Sequence, residues 1–177
     1  MKFCPDCAAA LAKRVPPGDS VLRHVCDACG SIHYQNPKLV VGCVPEWEGR
    51  ILLCRRAIEP RYGYWTLPAG FMENDETTGQ GAARETLEEA GARVELTAAF
   101  SMISVPYVNQ VHLFYRARLL DLEFKPGDES LEVALFEEAK LPWNEIAFRT
   151  VGLTLRHWFS DRARGVFGFY AEDIILR

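Results

Sequence analysis

No stretch of this 177-residue sequence approaches the roughly 18 consecutive apolar residues that a membrane-crossing helix needs. Its start, Met1-Lys2-Phe3-Cys4-Pro5-Asp6, lacks the apolar stretch of a secretory leader, so the expected location is cytoplasmic and no membrane partner is expected. Positive charge is not in excess either. The 20 Lys and Arg against 24 Asp and Glu give a net charge of −4, which argues against a surface built to neutralise nucleic-acid phosphates. A small anionic ligand would then need local help, such as a metal ion. Internal repeats and low-complexity linkers are also missing. With 49% hydrophobic and 25% charged residues the composition is ordinary for a packed protein, and the length leaves room for one common-sized domain plus a small appendage.

Cysteine is not scarce. Four of the six form the pairs Cys4-Pro5-Asp6-Cys7 and Cys26-Asp27-Ala28-Cys29, with 18 residues between them. Each pair can curl into a tight knuckle that aims two sulfurs at one point, and two knuckles complete the tetrahedral thiolate set that zinc accepts. Four thiolates leave no open position for water, so Cys4, Cys7, Cys26 and Cys29 read as a structural zinc site within a small ribbon, residues 1–35. The metal would supply folding energy that so short a segment cannot get from burial. Two disulfides or a redox dithiol are the competing readings. The first is disfavoured by the missing leader and the second by the duplicated pair. Cys43 and Cys54 sit in apolar strand-like runs and read as core residues.

Asn36-Pro37 breaks the pattern and opens a second domain, residues 36–177. Lys38 to Pro45 and Arg50 to Arg55 read as strands joined by a turn near Glu48-Gly49, and Tyr64 to Gly70 as a turn-rich loop. Further strands are expected over Val94 to Ile103, Val111 to Leu120 and Leu131 to Phe136. Near the C-terminus, Thr150 to Arg162 reads as a helix whose Val151, Leu155, Trp158 and Phe159 form a core stripe. Strands and helices interleave, which is an α/β arrangement.

The chemistry concentrates in one predicted helix. Thr77 with Gln80 fits a capping box, Asn74, Asp75 and Glu76 bring negative charge to the N-terminal side, and Gly91 suits a left-handed stop, so a helix is expected from about Thr77 to Ala90. At about 100° per residue, Glu85, Glu88 and Glu89 share an arc of about 100°, while Gly79, Ala82, Ala83, Thr86, Leu87 and Ala90 form an adjoining small or apolar face. Like charges at this spacing cost a few tenths of a kcal/mol per pair, and each of Gly79 and Gly81 costs about 1 kcal/mol against Ala. Close approach is the simplest reason for the glycines: Gly79 toward a packing neighbour, Gly81 leaving space above the glutamates. A carboxylate row of this kind is half of a magnesium site, the other half being substrate phosphate.

The run Gly70-Phe71-Met72-Glu73-Asn74-Asp75-Glu76-Thr77-Thr78-Gly79-Gln80-Gly81-Ala82-Ala83-Arg84-Glu85-Thr86-Leu87-Glu88-Glu89-Ala90-Gly91-Ala92 resembles the Nudix box. Every fixed polar and glycine position matches; Thr86 and Ala92 stand where aliphatic residues are usual. The resemblance extends over roughly Pro37 to Trp158 and implies a Nudix α/β/α sandwich around a mixed β-sheet, preceded by the zinc ribbon found in one branch of the family. It implies metal-dependent hydrolysis of a nucleoside diphosphate joined to another group. Carried over by position, Glu85, Glu88 and Glu89 would bind magnesium or manganese, with the Gly70 carbonyl as a further ligand. Arg84 would orient Glu88, and Glu76 would brace the loop and helix start. The catalytic set is then Glu88, Glu89 and Arg84, with Glu132 as a further carboxylate and Glu129 as second choice for that role.

The stretch Ser101-Met102-Ile103-Ser104-Val105-Pro106-Tyr107 departs from the motif usual in NADH pyrophosphatases, while Val105 to Arg118, Glu129 to Glu132 and Leu141-Pro142-Trp143 are similar to a group acting on FAD and ADP-ribose. The resemblance therefore favours a dinucleotide-like substrate (FAD, ADP-ribose or NADH-like) cleaved to AMP and a second monophosphate. Trp65, Tyr107 and Phe114 fall near the expected pocket, where each serves equally well as core. Two other readings are a non-catalytic ADP-ribose sensor or nucleic-acid-binding module using the ribbon, and an RNA cap-removing enzyme. Mixed charge in the ribbon and the intact glutamates weigh against the module. A homodimer is expected only by analogy with the family.

Overall fold

Residues 1–175 are described by a computed structural model, and the chain parts at Pro37 into two units, Met1–Pro37 and Lys38–Arg177. In the first, β1 (Leu11–Arg14), β2 (Arg23–Cys26) and β3 (Ile32–His33) form a three-stranded antiparallel sheet. The two knuckles are built alike. Four residues after the leading cysteine of each, Ala8 and Gly30 turn left-handed at φ 60° and 79°, and their N–H groups donate to Cys4 and Cys26 carbonyls at 2.9 Å. Glycine suits that conformation and alanine does not.

The second unit is built on an eight-stranded mixed sheet. Its path runs β10 (Ser130–Phe136), β5 (Arg50–Arg56), β4 (Lys38–Trp47), β9 (Gln110–Leu119), β8 (Val94–Val105), β11 (Tyr170–Asp173). Two short strands lie off it, β6 (Trp65–Thr66) on β5 and β7 (Ala69–Phe71) on β4. The β4–β9 and β8–β11 pairs are parallel and the rest antiparallel. Alternation along the strands sorts the core onto two faces. Val44, Ile51, Leu53 and Phe114 pack with Val151, Leu155, Trp158 and Phe159 of α2 (Arg149–Arg164). On the opposite face, Val41 and Cys43 pack with Ala82, and Leu52 and Cys54 with Ala90, both alanines from α1 (Thr78–Ala90). One helix on each side of the sheet makes the α/β/α sandwich.

The long elements match the hydrophobic patterns. Short strands do not carry such patterns, and Tyr64 to Gly70, expected as loop, supplies β6 and β7 instead. Each has two or three residues, too few for alternation to be read. β11, with four residues, was not read from the sequence either. Both halves of the capping box form in α1, where the Thr77 side chain accepts from the Gln80 N–H and the Gln80 side chain accepts from the Thr77 N–H; Gly91 ends the helix at φ 60°. Its buried face, however, is turned from the one expected. Leu87 is exposed, whereas Gly81 and Glu89 are buried with Ala82, Thr86 and Ala90. Among the described residues no helix is long and apolar enough to cross a membrane.

Candidate active site

The sheet splays between β4 and β5, and this opening makes the site. These strands pair only at Glu46–Ile51 and Trp47–Arg50. Beyond that point β4 pairs with β7 and β5 with β6. Glu89, on the edge of the α1 face that the sheet covers, reaches the opening and accepts the Ala69 N–H at 3.1 Å. Burial pushes its carboxyl up to about 8, with the negative charges of Glu85 and Glu129 adding to the effect. Glu85 is also raised, chiefly by burial. Glu88 points outward, its side chain 57% exposed.

Arg84 ties the glutamates to the loop ahead of the helix. Its Nε and Nη2 donate to the two Glu76 carboxylate oxygens at 3.0 and 2.8 Å, and Nη2 also donates to the Phe71 carbonyl at 3.2 Å. Its Nη1 donates to both Glu85 at 2.8 Å and Glu88 at 2.9 Å. The sequence assigned Arg84 to Glu88 alone; the structure gives it three carboxylates. Glu76 accepts the Glu73 N–H at 2.7 Å as well. Donation from Arg84, then from Glu73, holds the Glu76 carboxyl down at about 2, and Glu76 in turn raises the Arg84 guanidinium. These hydrogen bonds join the loop at Glu73 and Glu76 to Arg84 of α1.

Two glycines make the close packing possible. A Cβ on Gly70 would lie 2.3 Å from Glu85 Oε2. One on Gly81 would lie 2.6 Å from Glu76 Oε1 and 2.8 Å from Val41 Cγ2, so Gly81 makes room for the bracing glutamate rather than for the outer row. A Cβ on Gly79 would lie 3.1 Å from Leu96 Cδ1 of β8.

Beside these groups lies a cavity of about 1160 Å³. Gly70, Arg84, Glu85, Glu88, Glu89 and Glu129 belong to its wall. Glu132 does not; its side chain turns to Arg55 at 3.7 Å. Glu129, the second choice for a further carboxylate, stands on the cavity wall just ahead of β10, whose pairing with β5 shifts register between Ser130 and Glu132. Of the three aromatic candidates, Trp65 is core, edge-on to Phe136 at 4.8 Å. Phe114 is buried yet touches the cavity, and Tyr107 stands half exposed on its rim. Three wall residues were not among the site candidates read from the sequence: Gln110, His112 and Thr150, the last 38 positions from His112. Only the fold brings them together.

The donor set suits a hard divalent cation. Glu89 is a buried carboxylate with one N–H donor, and its neighbours Glu85 and Glu129 are negative. A cation held by oxygen ligands relieves that arrangement. In the ribbon, the Sγ atoms of Cys4, Cys7, Cys26 and Cys29 all lie within 4.8 Å of one another. Cys4–Cys29 and Cys7–Cys26 are 3.7 and 3.4 Å apart, close to the roughly 3.8 Å edge of a tetrahedron with metal–sulfur bonds of about 2.3 Å. His33 Nε2 stands 3.3 Å from the Cys4 sulfur.

A zinc-ribbon family model described as "Nudix N-terminal" matches residues 2–35, and one described as "NUDIX domain" matches residues 36–159. A NAD-capped RNA hydrolase NudC of Chromobacterium violaceum is 32% identical over 167 residues, 92% of this chain and 60% of that protein. An ADP-ribose pyrophosphatase of Methanocaldococcus jannaschii is 31% identical over 113 residues, 62% of this chain and 67% of that protein. The chain thus spans about 60% of the first relative's length. Among solved structures, a NUDIX hydrolase from Nitrosomonas europaea superposes with a TM-score of 0.96 at 54% identity, covering 98% of this chain and 99% of that one. The box, its geometry and a domain model that spans most of the chain place this protein in the Nudix hydrolase family.

Proposed function

We propose that this protein is a pyrophosphatase that hydrolyses a nucleoside diphosphate derivative, of the FAD, ADP-ribose or NADH kind, to AMP and a second monophosphate. The observation that carries this reading is the set of α1 carboxylates, gathered by Arg84 beside Gly70 on the wall of one large cavity. Glu85, Glu88, Glu89 and the Gly70 carbonyl would hold magnesium or manganese. When bound, such ions neutralise the bridging phosphates and acidify a water molecule. The chain's own residues supply the rest. Arg84 and Glu76 would fix the glutamates, and Glu129, on the cavity wall near Glu89, would take the water's proton. Cys4, Cys7, Cys26 and Cys29 would hold a structural zinc ion.

The test is a panel of FAD, NADH, NAD, ADP-ribose and diadenosine compounds, with products identified by mass spectrometry with and without chelator. Appearance of AMP that needs added magnesium or manganese supports the proposal; no cleavage of any panel member overturns it. The similarity to a NAD-capped RNA hydrolase extends over the ribbon as well as the catalytic unit, so a NAD-capped oligonucleotide belongs in the panel as a second reading. Preferential decapping would move the substrate class from free dinucleotides to RNA.

A further inference from the structure

The cavity wall changes character along its length. Toward α1 it is acidic, with Glu73, Glu85, Glu88, Glu89, Asp128 and Glu129. Around the start of β9 it carries Val105, Tyr107, Gln110, His112 and Phe114, none of them charged at neutral pH. The sheet register measures the separation: Phe71 of β7 is opposite Val40 of β4, which is opposite His112 of β9. Two strand spacings make about 10 Å between the strand that carries Gly70 and His112. A substrate with its pyrophosphate at the glutamates and a sugar between would set an uncharged ring here.

The polar groups at this end form a chain with a defined direction. His112 Nε2 lies 3.0 Å from Gln110 Oε1, and His112 Nδ1 lies 3.2 Å from Thr150 Oγ1. The Gln110 oxygen can only accept, so the Nε2–H donates to it; Nδ1 then accepts from the Thr150 hydroxyl. Burial depresses the His112 ring to about 4, so it is neutral and can play both parts at once. With its oxygen committed to His112, Gln110 keeps its NH2 group for the cavity. Among the described residues that group has no protein acceptor.

We propose that Gln110, oriented by the His112–Thr150 relay, reads the base of the substrate by donating an amide N–H to a ring-nitrogen or carbonyl acceptor of a purine-type nucleobase lodged at the β9 end of the cavity. The inference rests on the pyrophosphatase reading for the direction of the substrate. It gives this chain a reason to prefer substrates with a base at that end over sugar phosphates alone, because a donor that a bound substrate covers without pairing is costly.

The experiment uses AMP and ribose 5-phosphate, the two halves of ADP-ribose, as calorimetric probes. Steady-state hydrolysis of ADP-ribose is measured in parallel. Gln110→Glu keeps an oxygen for His112 and replaces the donor with an acceptor; Gln110→Leu removes the donor without adding charge. Both are expected to weaken AMP binding and raise KM for ADP-ribose by about tenfold, with kcat falling by less than about threefold and ribose 5-phosphate binding unmoved. Thr150→Ser, which retains the hydroxyl, should recover what Thr150→Val loses. AMP binding within about twofold of wild type in both Gln110 variants, with circular dichroism unchanged, overturns the inference. Wild-type protein that cleaves no pyrophosphate, yet binds AMP with this dependence on Gln110, would refute the proposed activity and leave the base subsite standing.

Discussion

Adding one methyl group at Gly70 should separate catalysis from folding. An ideal Cβ there would lie 2.3 Å from Glu85 Oε2 and 2.4 Å from the other carboxylate oxygen and Cδ, against 3.4–4 Å for ordinary contact. The carboxylate must therefore retreat by about 1 Å, and misplacement on that scale costs on the order of 100-fold in rate, about 2.7 kcal/mol of barrier. Stability has little reason to follow. Gly70 is not left-handed, so alanine fits its backbone and gains about 0.4–1 kcal/mol by restricting the unfolded chain. The clash is with the free end of a side chain, which can move. Gly42→Ala is the control, because its Cβ would meet Ala69 Cβ at 2.3 Å and backbone atoms of Pro68 and Ala69 at 2.5 and 2.9 Å, where nothing can yield cheaply. That variant should lose roughly 3 kcal/mol of stability. The assay is kcat with saturating magnesium and a test substrate, beside Tm for both proteins. Gly70→Ala is expected to drop kcat about 100-fold with Tm within about 3 °C of wild type. Near-normal kcat, or activity lost only in step with Tm, would refute the reasoning that Gly70 exists to seat Glu85.

Three further outcomes follow from other parts of the molecule. Glu76, held at about 2 against an ordinary 4.5, binds a proton in the unfolded chain before it does in the folded one; its contribution to stability is full above pH 4.5 and fades as pH falls toward 2, so Glu76→Gln should flatten urea-measured stability over that window, and an unchanged slope would count against the brace. His112 is depressed to about 4 from 6.5, so its neutral form stabilises the fold fully above pH 6.5 and progressively less down through 4; NMR of the ring should show a midpoint near 4, and one above 6 would contradict the neutral relay. Metal analysis should find about one zinc ion per chain, lost in Cys26→Ser and retained in Cys43→Ser, whose sulfur is buried in the catalytic unit.

What the sequence made legible depended on how far its signals reach. Capping at Thr77 and Gln80, the stop at Gly91 and the run of strand patterns are local, and each formed where its residues stand. The glutamate spacing is local too, and it placed Glu85, Glu88 and Glu89 on one side of a helix. Spacing alone could not show which of them the sheet would cover. On a wheel the carboxylates adjoin the apolar face; in the fold the buried arc is turned toward them, leaving Leu87 in solvent and Glu89 inside. The turn comes from the opening between β4 and β5, set by pairings dozens of residues away. Which of Glu129 and Glu132 lines the cavity is equally non-local, since it depends on how β10 pairs with β5.

The same distinction bears on chemistry. A carboxylate that a helix merely presents to water would be an ordinary acid, and the three glutamates would then be interchangeable. The splayed sheet makes them unequal: Glu88 half free, Glu85 held by Arg84, Glu89 buried against a backbone N–H. A divalent cation gains most from the ligand that water serves least, since there it replaces an unfavourable burial rather than a good hydration shell. Glu89→Gln should therefore fold as stably as wild type or better while losing more metal affinity than Glu88→Gln. Isothermal titration with manganese beside urea denaturation would show both. Equal losses of affinity in the two variants would mean that burial grades nothing, and that the helix alone, without the opening in the sheet, defines the site.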